Sequence, residues 1–372
     1  MDELRAFAAL LVIFYHGFQL IGAQLAHGTS FDPFSHWVTA GNPLIALIEE
    51  GHSGVALFVV LSGFVLANGL FGRDVRYPLF IAARVVRLYP LMLTMTLAAA
   101  ASLQLSSVDV LSSLLPLPSY QPLPSPFTAM FWAVMVEFQC YLLFPLVLFF
   151  INRRGIKPAL LLIAAAIMIR FMVVAVSDVS PRDLSYWTML GRIDQFLIGM
   201  CLAFLVSRHD PGMLRGAKLF PLAAVVAFGL LWAFNRAGGW PNDATWKIVW
   251  GDVEGLMWAF FIYTFVPFSR RLPRMMKRFV GYVGVISFPL YLVHFAVIGT
   301  AMRHGIYVTV SGNGYYDALL TTALVVIPLS LASAALLHYA IEKPFLAFRP
   351  RYVAGPAHSP VELATAEARK AG

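Results

Sequence analysis

The sequence predicts an all-α protein that crosses a lipid bilayer about ten times and keeps both termini on the cytoplasmic side. Three observations carry this expectation. Of 372 residues, 59% are hydrophobic and only 12% charged, about half the charged share of an ordinary soluble domain. Apolar runs near the ~20 residues needed to span the hydrocarbon core recur along the whole chain. Lysine and arginine fall nineteen to four on alternate sides of those runs, a strong positive-inside bias. A soluble fold of this length has too little polar surface to cover so much apolar material. The net charge of +8 does not point to nucleic acid, because the basic residues sit in short clusters between apolar runs. Cys140 and Cys201 both lie inside such runs, so no disulfide framework is expected.

The first span, 4–24, lacks a basic leader and a small-residue cleavage site and reads as a retained helix. Arg5 marks its cytoplasmic end. His16, eleven residues on, lies on the same face, about 18 Å into the membrane. Loop 25–52 contains no lysine or arginine. The second span, 53–71, brings Ser62 of VLSGF to a similar depth. The third, 78–103, begins PLFIAARVVRLYP and places Arg84 and Arg87 three apart on one side. They lie about 9 to 14 Å inward, deeper than snorkelling comfortably explains. Loop 104–126 is rich in proline and serine, which disfavours helix and predicts an extended lid or rim.

The fourth span, 127–151, carries Glu137 about 15 Å from its outer end. Spans 158–177, 187–207, 218–235, 248–267, 280–302 and 318–341 complete the count. The sixth holds Arg192 and Asp194 in LGRIDQFLIG, and the ninth holds His294 in FPLYLVHF. Residues 1–348 read as one membrane-embedded domain, and 349–372 as a short cytoplasmic tail without structure.

An ionisable side chain at mid-membrane needs a function or a partner. His16, Ser62 and Glu137 converge in depth from three helices. A carboxylate beside an imidazole orients its tautomer and stabilises the imidazolium, which makes His16 and Glu137 the candidate catalytic residues. Arg5, Arg84 and Arg87 gather nearer the cytoplasm, where guanidinium forks suit a phosphate-bearing ligand. Their plainer reading is as positive-inside anchors. Ser62, Arg192, Asp194 and His294 are candidate contacts for an acceptor. Against that, Ser-Gly also marks close helix packing, and Arg192 reads equally as an ion-pair partner of Asp194 or Glu254. The basic cluster 270–278 reads as a topology determinant that touches lipid headgroups. No metal is expected. Mid-membrane His and Glu also suit a proton-coupled exporter, although no internal repeat is visible.

With these residues in place, the sequence resembles acyltransferase family 3 over about residues 2–348. The opening pattern stands here as Asp2, Leu4, Arg5 and His16, and the next as Gly54, Val55, Phe58 and Leu61 to Phe64. Arg84, Val85, Val86 and Arg87, with Tyr89 and Pro90 following, match the paired-arginine motif. Trp132 and Glu137, then Tyr141 and Pro145, match the tryptophan-to-glutamate motif. Arg192, Phe196 and Gly199 follow, then Tyr291 with His294, and finally Glu342, Lys343, Pro344 and Phe345. The departures are Glu3 in place of a small residue and Ala56 where many members are acidic. The extra helix and C-terminal hydrolase-like domain of many members are missing, so the chain resembles the stand-alone type.

The resemblance implies a multi-pass protein of a bacterial inner membrane. It implies a donor, acetyl-CoA or another acyl-CoA, bound from the cytoplasm through Arg5, Arg84 and Arg87. The acceptor it implies is a hydroxyl of a surface polysaccharide, a glycolipid or a similar lipid-linked molecule. His16 then acts as general base or carries the acyl group transiently, and Glu137 orients it.

Overall fold

The computed structural model describes residues 1–103, 106–115, 125–208 and 216–354. Those residues form an all-α polytopic membrane protein. Eight helices are long and apolar enough to cross a bilayer, and two bent helix pairs raise the number to ten.

Helix α1 (Asp2–His27) runs through the middle of the bundle, packed against helices from both ends of the chain. Its small residues allow this: Gly17 lies against Thr322 and Gly22 against the ring of Tyr315, where a Cβ would collide. Helix α2 (Pro43–Glu49) is capped by the side chain of Asn42, which accepts from Leu44 and Ile45. It meets α3 (Ser53–Asn68) at 74°. The second span is therefore only 16 residues of straight helix, about 24 Å, with α2 folded across its end.

Helix α4 (Tyr77–Leu103) is followed by α5 (Ser107–Leu114). This short helix corrects the expectation of an extended segment. Ser106 and Asp109 form a reciprocal capping box, which nucleates a turn before the first proline at Pro116. Residues 104–105 and 116–124 of that loop lie outside the described residues. Next come α6 (Phe131–Arg154), α7 (Lys157–Val176), the short α8 (Pro181–Trp187), α9 (Met189–Arg208), α10 (Phe220–Arg236) and α11 (Lys247–Phe268).

The ninth span departs from expectation as well. Helix α12 (Arg274–Val285) and α13 (Ser287–Arg303) bend by 72°. Pro289 in the first turn of α13 has no N–H to continue the ladder from α12, so the apolar run 280–302 is broken near Ile286. Helix α12 keeps its basic residues beside exposed Met275 and Phe279. The last helix, α14 (Gly314–Leu346), is 33 residues long and contains two π turns, Thr322–Val326 and His338–Glu342. Helix α7 shows what the outer surface meets. Leu161, Met172 and Val176 are largely exposed, an arrangement that lipid, not water, accommodates.

Residues beyond α14 fold back onto the bundle as far as 354. Val353–Ala354 pairs antiparallel with Asp74–Val75, with Val75 opposite Val353. The Arg76 amide adds a hydrogen bond to the Tyr352 carbonyl at 2.9 Å. Residues 349–354 are thus a strap across the α3–α4 turn, which corrects the expectation of a structureless tail for this stretch. Residues 355–372 lie outside the described residues.

Helices α3 and α9 form the tightest seam. A Cβ on Gly63 would strike the Phe196 carbonyl, and one on Gly199 would strike the Val60 carbonyl. Backbone on both sides cannot yield as a flexible side chain does. Gly63→Ala is expected to destabilise the protein by about 1–3 kcal/mol through overpacking, read as a lower melting midpoint in detergent. An unchanged midpoint would show that the seam relaxes freely.

Candidate functional site

A cavity of about 380 Å³ opens at the end of the bundle that holds the start of α1, the α3–α4 turn and the strap. Its wall contains five arginines, Arg5, Arg73, Arg84, Arg87 and Arg349, and a single carboxylate, Glu137. Arg84 and Arg87 reach it from one face of α4, as their spacing requires. Arg5 is held by Asp2 at 2.9 Å, three residues before it on α1. Arg84 is the unusual member. It is 5% exposed, and its guanidinium sits 5.3 to 5.7 Å from the ring centres of Phe80, Tyr141 and Tyr352. Its Nε and Nη2 atoms are buried with no hydrogen-bond partner among the described residues. An aromatic cage offsets part of a buried cation's desolvation, but two donor nitrogens of this cavity-lining residue stay without a partner, which an anion could supply.

Glu137 stands deeper in the same cavity. Ser62 and Tyr141 both donate to its Oε1, Tyr141 at 2.5 Å. Oε2 is left as an acceptor. Tyr141 lies between Glu137 and Arg84, so the carboxylate braces the cage that holds the guanidinium. Ser62 and Gly63 divide the two expected roles of their motif: the glycine packs against α9 and the serine binds the carboxylate.

The structure does not pair Glu137 with His16, although the depths agree. Equal depth on separate helices leaves lateral position open, and the partner of His16 is instead His294, with His16 Nδ1 and His294 Nε2 3.0 Å apart. The rings stack with centres 5.1 Å apart, and Phe295 closes edge-on over His16. His294 Nδ1 lies 2.7 Å from the Tyr291 carbonyl. A carbonyl only accepts, so His294 Nδ1 carries a proton. In a neutral ring its Nε2 is then the acceptor, and His16 Nδ1 must donate to it. That chain leaves the lone pair of His16 on Nε2. His294 is completely buried, whereas His16 is only half-buried. His294, expected at an acceptor, is thus enclosed between His16 and the Tyr291 carbonyl.

The remaining pair of candidates forms a separate network nearer the other end. Asp194 is fully buried and ion-paired to Arg170 at 2.7 Å, and Arg170 also binds Asp252 at 2.9 Å. The Asp194 carboxylate, expected at an acceptor, is thus enclosed by its counter-charge. Arg192 pairs with Glu254 at 3.4 Å and lies over the Tyr186 ring. It borders a second, much smaller cavity of about 30 Å³, shared with His52 and Lys247, room for little more than a water. Nearby, His52 contacts Glu50 at 3.0 Å, and Glu50 accepts from Asn235 at 2.9 Å. In α8 the Asp183 carboxylate forks onto Arg182 at 2.8 and 2.9 Å and holds that guanidinium above its ordinary pKa.

Sequence reasoning missed Arg73, Arg349 and Tyr352 in the large cavity. Arg73 and Arg349 counted only as loop charges, and Tyr352 stood in an expected tail. The Arg349 guanidinium donates to the Tyr352 hydroxyl at 3.0 Å, a local link that no spacing rule signals.

A family model described as an acyltransferase domain matches residues 1–339. No curated protein and no solved structure matches the chain.

The buried network makes a stability prediction independent of any activity. Arg170→Met leaves Asp194 and Asp252 facing each other without a cation. Removing one partner of such a group typically costs about 3–5 kcal/mol. The variant should show sharply reduced folded yield or melting midpoint in detergent. Wild-type stability would mean the carboxylates are otherwise compensated.

Proposed function

The chain belongs to acyltransferase family 3, and from that premise we propose that it is a membrane O-acyltransferase using an acyl-CoA donor. The observation that carries this reading is Arg84, a buried guanidinium with two unmet N–H groups in a cavity where arginines outnumber carboxylates five to one. A wall of that composition is poorly stable alone and well suited to a ligand with several phosphates. Arg5, Arg73, Arg87 and Arg349 surround the same space, and apolar side chains of α3 line its deeper part. That sequence of surfaces fits a donor with a polyphosphate head and a long, largely uncharged arm ending in a thioester. Glu137 Oε2 suits an amide N–H of such an arm.

In this reading the cavity faces the cytoplasm, in agreement with the basic residues clustered on that side. The transferred group is acetyl or another short acyl group, and the acceptor is a hydroxyl of a surface polysaccharide or lipid-linked sugar. His16 takes the proton of the attacking hydroxyl on Nε2. His294 fixes the tautomer and shares the developing charge through the Nδ1–Nε2 bond, and the Tyr291 carbonyl anchors His294. Glu137 acts on the donor side, where it holds Ser62 and Tyr141 and thereby Arg84. A proton-coupled exporter would give no reason for the arginine wall.

Two experiments test this. Arg84→Ala or Arg87→Ala should weaken acetyl-CoA binding by about 1.5–3 kcal/mol each, the loss of a charge-assisted hydrogen bond. Lysine should restore only part of it, lacking the planar fork. Unchanged affinity in folded double-alanine protein would reassign both residues to membrane anchoring.

His294→Phe should leave donor affinity intact while lowering single-turnover transfer by about 10²-fold or more, since a freed His16 samples the unproductive tautomer. His16→Asn should abolish transfer. Near-normal rates in either variant would remove the histidine pair from the mechanism.

A further inference from the structure

Tyr291 contributes twice to this region, through its carbonyl and through its side chain. Its side chain lines the arginine cavity, one turn farther along α13 than Ser287, which lines it too. The residue is 6% exposed, and its hydroxyl has no hydrogen-bond partner among the described residues. The ring itself is well packed, with Phe58 edge-on at 6.0 Å and His294 at 5.9 Å. A phenylalanine would fill this space equally well. Burying an unsatisfied hydroxyl costs stability, so its retention at this position points to a partner that comes and goes.

The cavity narrows the identity of that partner. Phosphates belong at the arginines, and Glu137 is already saturated at Oε1 by Ser62 and Tyr141. Beyond them the wall offers a reacting thioester no guanidinium, only the Tyr291 hydroxyl beside apolar side chains and Ser287. The backbone of the same residue sets the proton order of His294 and His16. One helical position therefore joins the donor cavity to the base.

We infer that Tyr291 is a further catalytic residue, whose Oη–H donates to the thioester carbonyl oxygen of the donor as negative charge develops there. The inference rests on the reading of this cavity as the acyl-CoA site. In the addition step the acceptor oxygen bonds to the carbonyl carbon, its proton passes to His16 Nε2, and the C=O π pair moves onto the oxygen that Tyr291 binds. In the collapse step the C=O bond re-forms and the C–S bond breaks with its pair on sulfur. The proton held at His16 is returned to that thiolate. A donor aimed at such an oxygen contributes mainly in the transition state, so its loss affects turnover far more than binding.

Tyr291→Phe tests this in the purified full-length protein. Acetyl-CoA affinity should stay within about twofold of wild type, and single-turnover transfer should fall about 10²–10³-fold, the usual effect of losing one oxyanion donor. The melting midpoint should be unchanged or higher, because an unsatisfied buried hydroxyl has been removed. S-ethyl-CoA, which lacks the thioester carbonyl oxygen, should bind variant and wild type alike. Wild-type turnover in the variant overturns the inference. A clearly lower midpoint also overturns it, since the hydroxyl would then have a structural partner. The underlying reading fails separately, if wild-type protein binds no acetyl-CoA.

Discussion

A charge buried within a bilayer-spanning bundle must find its counter-charge in the chain or receive one from a ligand, and this constraint divides the intramembrane arginines in two. Arg170 and Arg192 are met internally, by Asp194 and Asp252 in one case and by Glu254 in the other. Both tie α9 to neighbouring helices, and Arg170 Nε is the one buried donor of the two that lacks a partner among the described residues. Arg84 is met by aromatic faces alone, with Arg87, Arg73 and Arg349 beside it and no acid within the arginine group. Like charges crowded at one mouth repel, and of the cavity arginines only Arg5 has an acidic ion-pair partner among the described residues, Asp2. Structural cations and ligand-seeking cations thus carry different signatures in the same protein. On the proposed reading, the second set is the phosphate grip of an acyl donor.

Holding these groups in register falls to contacts that are chemically plain. The Gly63–Gly199 seam draws α3 against α9 until backbone meets backbone. The residue beside the seam, Ser62, is then held at Glu137, and Glu137 is held at Tyr141. From there the brace runs to Arg84 and on to Tyr352 of the strap. A glycine contact at mid-bundle and a two-residue strand at its edge therefore act on one guanidinium from opposite sides. The strap is the weaker of the two supports, because so short a strand pair is marginal unless side chains hold it. Tyr352 supplies that hold, packed edge-on against Phe80 at 5.3 Å.

Much of this was legible in the sequence, for reasons that also explain what was not. Periodicity and apolar length are local properties, so the ten spans and the shared face of Arg84 and Arg87 could be read directly. Depth follows from helical rise, which grouped Arg5, Arg84 and Arg87 near one end and Ser62 with Glu137 deeper; that all five line one cavity is a result of packing. Rotation and lateral packing do not follow from rise. Glu137 and His16 share a depth yet face different partners, and His294, read as a separate candidate, lies against His16. Proline and serine content misled at 107–114, where one capping box outweighed composition. Glu50, His52 and Lys247 fall in stretches read as loops, and their burial against other helices leaves no trace in spacing. Arg349 and Tyr352 were unreadable for a related reason: their role depends on a chain reversal that brings residue 353 beside residue 75.

Two groups of polar side chains remain, and they are organised on different principles. The donor-side group is a branching arrangement around Glu137, in which one carboxylate oxygen takes two hydroxyls and positions a distant cation. The histidine group is a line with a direction, because a backbone carbonyl at one end can only accept. Reversing any proton in that line would leave two donors or two lone pairs facing each other, which costs a buried hydrogen bond. The direction ends on His16, the half-buried member, so the hydrogen-bond order leaves the lone pair on its Nε2. Helix α13 belongs to both groups: its Tyr291 side chain enters the cavity while its Tyr291 carbonyl starts the line. A movement of α13 would alter the donor wall and the base together. The break between α12 and α13 at Ile286 lets α13 take its own angle, so this helix can serve both groups without following the basic helix that precedes it.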